Sequence, residues 1–98
     1  MKIITICGSL KFMDKMMECA QTLTMEGNCV LTPTYPILKE YNITEIEMNN
    51  LKESHLKRIE LSDAIYVVNV DKYIGESTKK EIDYAASLNK EIIYYTDK

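Results

Sequence analysis

Ninety-eight residues, 46% hydrophobic and 28% charged, fit one globular domain over residues 1–98 with a modest core. A net charge of -3 and a pI near 5.1 argue against a general nucleic-acid binder, which needs a basic face. The sequence holds no run of ~18 apolar residues, so no membrane helix is expected, and Met1-Lys-Ile-Ile-Thr-Ile-Cys-Gly8 is too short and too β-like for a signal peptide, which makes a cytoplasmic protein the expectation.

In chain order, Lys2 to Cys7 is a short β-branched run stopped by Gly8 and reads as a buried strand. Ser9 is a good N-cap for a helix over Leu10 to Glu26, with Leu10, Met13, Met17 and Ala20 spaced as one apolar stripe that Met16 and Leu23 widen. Gly27-Asn28 stops that helix, and Cys29 to Thr32 is a second short strand. Pro33 and Pro36 forbid a helix after it, so residues 33–43, with Tyr35 and Tyr41, form the longest irregular stretch.

Thr44-Glu-Ile-Glu47 is a capping box that opens a second helix carrying Met48, Leu51, His55 and Ile59 on one face, with Leu56 beside them. Ala64 to Val70 is the strongest strand signal. A polar loop from Asp71 to Glu76 follows, then a third helix from Ser77 or Thr78 to Asn89, and a last strand over Glu91 to Tyr95. The pattern βαβαβαβ implies a four-stranded parallel sheet with helices on both faces. In the expected strand order 2-1-3-4, the loops after strands 1 and 3 face each other at a switch point, where such sheets place ligands.

Three segments at that point carry chemistry. Gly8-Ser-Leu-Lys11 combines a glycine, a helix N-terminus, a hydroxyl and a cation, which suits a phosphate or carboxylate; the local pattern by itself reads more readily as a tight turn with a serine cap and a solvated lysine. Thr78-Lys-Lys-Glu81 is a capping-box pattern, so Glu81 is either spent on its own helix cap or, at the edge of the Ala85 and Leu88 stripe, a carboxylate able to attack a sugar carbon. His55 is either a boundary residue of the second helix or a general acid at the pocket rim. Cys7, Cys19 and Cys29 lack any Cys-x-x-Cys spacing and read as reduced buried thiols. A nucleophilic cysteine would need His55, which nothing in the sequence brings near a thiol.

The segments Ile6-Cys-Gly-Ser-Leu-Lys11, His55 to Val68 and Gly75 to Lys90 together resemble the nucleoside 2-deoxyribosyltransferase superfamily, which includes deoxyribonucleoside 5'-monophosphate N-glycosidases. The resemblance implies a flavodoxin/Rossmann-like three-layer α/β sandwich. It implies that Glu81 attacks the anomeric carbon to form a glycosyl-enzyme, which water or a second base resolves. It also implies a 5'-phosphate held by Gly8, Ser9 and Lys11; Gly75 and Ser77, in the loop expected across the crevice, are further candidate substrate-binding positions.

Three positions depart from the family pattern. His55 stands where an aspartate usually orients the sugar, Gly75 where the transferases often carry another aspartate, and Thr5 where strand 1 commonly has a tyrosine. The phosphate match and the missing aspartate favour nucleotide hydrolysis over base exchange. The expected ligand is a nucleoside or nucleotide, with no metal and no cofactor, in a homodimer or higher homo-oligomer. The alternative function is a non-catalytic nucleotide-binding or sensing module on the same fold. A weaker one is a phosphoribohydrolase with a Gly-Gly-x-Gly-Thr-x-x-Glu loop, which Gly75 to Glu81 matches only loosely.

Overall fold

The structure, a computed structural model, describes residues 1–35 and 42–97. Pro36 and Tyr41, in the expected irregular stretch, lie outside the described residues. Strands β1 (Ile3–Gly8), β2 (Cys29–Leu31), β3 (Ala64–Val68) and β4 (Glu91–Tyr94) form one all-parallel sheet in the order β2-β1-β3-β4. Helices α1 (Met13–Met25), α2 (Glu45–Leu61) and α3 (Glu76–Ser87) make the crossovers. The architecture is the α/β sandwich and strand order expected from the alternation of strand and helix signals. No helix among the described residues is long and apolar enough to cross a membrane.

The period-two alternation of the central strands divides the core. Ile4 and Ile6 of β1 join Ala64, Tyr66 and Val68 of β3 on the face covered by Met16, Cys19 and Leu23 of α1. Cys7, Ile65 and Val67 point to the opposite face, against Ile59 of α2 and Ala85 of α3. All five residues of β3 are buried, as a strand covered on both faces requires. Each fully buried Ile, Val or Met side chain contributes ~1.5–3 kcal/mol through area removed from water.

Several local expectations shift. Ser9 caps a 3-10 turn over Leu10–Phe12 rather than α1 itself, and the α-helix begins at Met13 after Phe12 adopts φ -102° and ψ 23°. The buried stripe of α1 is Met16, Cys19 and Leu23, while Leu10 and Met17 are about half exposed. The helix is apolar on adjacent stripes, and packing against Ile4, Ile6 and Tyr66 selects one of them. Gly27, at φ 100°, ends the α1 segment in the left-handed region that favours glycine.

The capping box of α2 forms as expected: Glu47 N–H donates to Thr44 Oγ1 at 3.1 Å, and Thr44 N–H donates to Glu47 Oε1 at 3.0 Å. The second expected box does not form. Helix α3 starts at Glu76 with Gly75 as N-cap, so Thr78 lies inside the first turn, buried, and Glu81 sits one turn further along. Strand β3 ends at Val68 instead of Val70, because Asn69 turns aside and its side chain pairs with Thr96 through both its amide groups. The chain then makes a 3-10 turn over Val70–Lys72 with Asp71 and Lys72 at positive φ.

Candidate active site

The C-terminal ends of β1 and β3 open into a cavity of about 470 Å³, a size suited to a small molecule. Gly8 and Ser9 form one wall. Gly75, Ser77 and Glu81 form the facing wall, and His55 of α2 closes the side. Six of the seven residues singled out from the sequence therefore line one cavity.

Gly8 is favoured there by close approach. A Cβ at this position would meet Met16 Sδ at 3.0 Å and the Val68 carbonyl oxygen at 3.2 Å. A side chain there would force Met16 or the β3 backbone to give by a few tenths of an ångström. Gly75 is less constrained: a Cβ would meet nothing nearer than the Tyr73 hydroxyl at 3.7 Å.

Lys11 is the seventh residue, and it does not line the cavity. Its ammonium lies 3.3 Å from the centroid of the Tyr73 ring, which also meets Phe12 edge-on at 5.9 Å between centroids. Two cations not anticipated from the sequence line the cavity instead, Lys52 and Arg58 of α2. Arg58 Nη2 donates to Thr34 Oγ1 at 3.1 Å. Both lie three residues from His55, so the helical spacing that places His55 on a face places them next to it.

The Glu81 carboxylate is not bound to its own helix cap. Glu81 Oε1 lies 3.4 Å from His55 Nε2, and the two side chains are 21% and 9% exposed. Behind them stands Cys7, fully buried, with its Sγ 3.5 Å from the same His55 Nε2. Burial pushes the Cys7 thiol well above its usual range, and the charge of Glu81 and a hydrogen bond to it push the same way. Cys7 is therefore a neutral thiol donor and not a thiolate nucleophile.

Nothing in the sequence signalled this third member. Cys7 reaches the cluster because odd positions of β1 face α2 and α3. Thr5 faces the same way and is satisfied below the cavity, its hydroxyl 3.1 Å from the Arg58 carbonyl and beside the Ser62 hydroxyl. His55 Nδ1 is buried with no hydrogen-bond partner among the described residues.

Asp63, Tyr73 and Tyr35 do not line the cavity. Asp63 is at the opposite end of the sheet, where its carboxylate accepts from the Ile3 N–H at 2.8 Å. Tyr73 is engaged by Lys11 and Phe12, and Tyr35 packs against the core on the α1 side.

No protein-family model matches the sequence, and no curated protein does. Among solved structures the chain is similar to a 2-desoxiribosyltransferase from Leishmania mexicana, with a TM-score of 0.72 and 21% identity. The match covers 97% of this chain and 64% of that one, so the chain spans just under two thirds of that structure's length. At this identity the likeness speaks for architecture: the chain has the flavodoxin-like α/β fold on which that deoxyribosyltransferase is built.

Proposed function

We propose that the chain breaks the N-glycosidic bond of a nucleoside or nucleoside 5'-monophosphate, with Glu81 as nucleophile. The observation that carries the reading is the position of the Glu81 carboxylate. It is free of its helix cap, reaches the cavity opposite the Gly8-Ser9 turn, and lies 3.4 Å from His55. A carboxylate so placed meets a sugar carbon bound between the two walls.

Attack by a Glu81 oxygen forms a C–O bond as the C–N bond breaks, and the bonding electrons leave with the base. His55 holds the carboxylate in position from the α2 side, and the neutral Cys7 thiol donates toward it from the sheet. Water then attacks the same carbon, regenerating Glu81. A second base in place of water would give transfer. Gly75, where an aspartate would favour base exchange, supports hydrolysis as the main outcome. The Ser9 hydroxyl, on the cavity wall at the start of the Leu10–Phe12 turn, offers a donor to a 5'-phosphate. Lys52 and Arg58 supply cations from the cavity wall, and Lys11 supplies one from outside it.

Self-association belongs to the same proposal. Helix α2 leaves Ile46 74% and Leu61 61% exposed, apolar surface that a second copy could cover.

The test is base release from a panel of nucleosides and 5'-monophosphates by the parent chain and by Glu81→Ala. Release by the parent that is lost in the variant supports the reading. Binding without release across the panel would replace it with nucleotide sensing.

A further inference from the structure

We propose that Cys7, His55 and Glu81 form a binding site for a Zn2+-class ion, one that holds the metal at the expense of the free Glu81 carboxylate. The three side chains come from three elements, β1, α2 and α3, and each offers one ligand atom, all within 4.8 Å of one another. His55 Nε2 is 3.5 Å from Cys7 Sγ and 3.4 Å from Glu81 Oε1. Zn–N and Zn–O bonds of ~2.0 Å and a Zn–S bond of ~2.3 Å set the donors of a tetrahedral site ~3.3–3.6 Å apart. The two separations from His55 Nε2 match those edges and the third lies within 4.8 Å, so the three donors close on a metal by a shift of the Cys7 or Glu81 side chain.

The donor set selects the class of ion. A thiolate, an imidazole and one carboxylate suit Zn2+ and its borderline-soft neighbours, and do not suit Mg2+ or Ca2+, which take oxygen ligands. Cys7 binds as its proton passes to solvent and the S–Zn bond forms. His55 and Glu81 line the cavity, which gives the ion a way in and leaves the fourth position open to water. The site rests on donor geometry alone. Only its consequence, that bound Zn2+ stops base release by occupying the nucleophile, rests on the proposed function.

The probe is Co2+, titrated into the whole metal-stripped chain and followed by absorption, then displaced by Zn2+. One Co2+ per chain is expected, with a thiolate-to-cobalt charge-transfer band in the near ultraviolet that Zn2+ removes and Mg2+ does not. Cys7→Ser should lose the band. Glu81→Gln, which keeps the volume of a partly exposed side chain, should keep the band and bind about tenfold or more weakly. Far-ultraviolet circular dichroism checks that each variant is folded, and Glu81→Gln decides the matter if Cys7→Ser is not. Absence of the band in the parent, its persistence in a folded Cys7→Ser, or unchanged affinity in Glu81→Gln overturns the site. Base release is assayed separately without metal: a normal cobalt band with no turnover counts against the proposed reaction and leaves the metal site standing.

Discussion

His55 Nε2 lies 3.4 Å from Glu81 Oε1, joining the middle of α2 to the second turn of α3 across the mouth of the sheet. The contact orients a carboxylate that would otherwise swing on three rotatable bonds. Replacing His55 by Gln keeps polarity and approximate volume but loses the ring that fixes this geometry. The expected result is a fall in kcat for base release on the order of 10- to 100-fold, with KM little changed. A urea-unfolding midpoint close to the parent's would separate this loss from a loss of fold.

Gly8→Ala tests the wall opposite Glu81. The new methyl group meets the Val68 carbonyl oxygen at 3.2 Å and Met16 Sδ at 3.0 Å. Met16 can yield, but the backbone of β3 cannot without disturbing the sheet. A destabilisation of about 1–3 kcal/mol is expected by urea denaturation, with lower activity as the turn moves. Unchanged stability and activity together would mean that the close approach is not needed.

The proposed phosphate contacts are open to a direct comparison. Lys52 lines the cavity, whereas the Lys11 ammonium rests on the Tyr73 ring. Lys52→Ala is expected to raise KM for a 5'-monophosphate about tenfold while leaving the corresponding nucleoside little affected. Lys11→Ala should have the smaller effect on that ratio. The reverse ranking would mean that Lys11 leaves Tyr73 when substrate binds.

The sheet order and the crevice could be read from the sequence because they depend on alternation of strand and helix signals, which are local. Gly8, Ser9, Gly75 and Ser77 fell into place with the loops that carry them. The role of Thr78 did not, because Gly75 and Glu76 start α3 earlier than the Thr-x-x-Glu pattern suggests. That shift is what releases Glu81 from a capping role. Cys7 was missed for a different reason: its contact with His55 depends on which face of β1 meets α2, a tertiary choice that Ile4 and Ile6 settle by packing on α1. Lys52 and Arg58 were legible in principle from their spacing to His55. The charge of each also fits a solvated helix face, so only the fold distinguishes the two roles.

Away from the site, Tyr84 donates its hydroxyl proton to Glu60 Oε2 at 2.7 Å, linking α3 to α2, with Lys57 and Lys90 beside Glu60. The hydrogen bond from Tyr84 lowers the Glu60 pKa, and the same bond raises that of Tyr84. A lowered carboxyl contributes stability above its unfolded pKa that is lost as pH falls through the folded value. A raised phenol contributes stability below its unfolded pKa that is lost as pH rises through the folded value. Both groups are exposed, so the effect is small. Tyr84→Phe should lower the urea midpoint slightly near neutral pH, and the difference from the parent should vanish at both acid and alkaline extremes. A difference independent of pH would contradict the linkage.

The proposed nucleophile can be tested by trapping. The parent chain is incubated with deoxynucleoside 5'-monophosphates, quenched with acid and digested, and its peptides are weighed by mass spectrometry alongside an assay for free base. A sugar-phosphate adduct on Glu81, released base in the same sample, and the loss of both in Glu81→Ala are expected. Base release that persists in Glu81→Ala, or an adduct on another residue, would contradict the role given to Glu81.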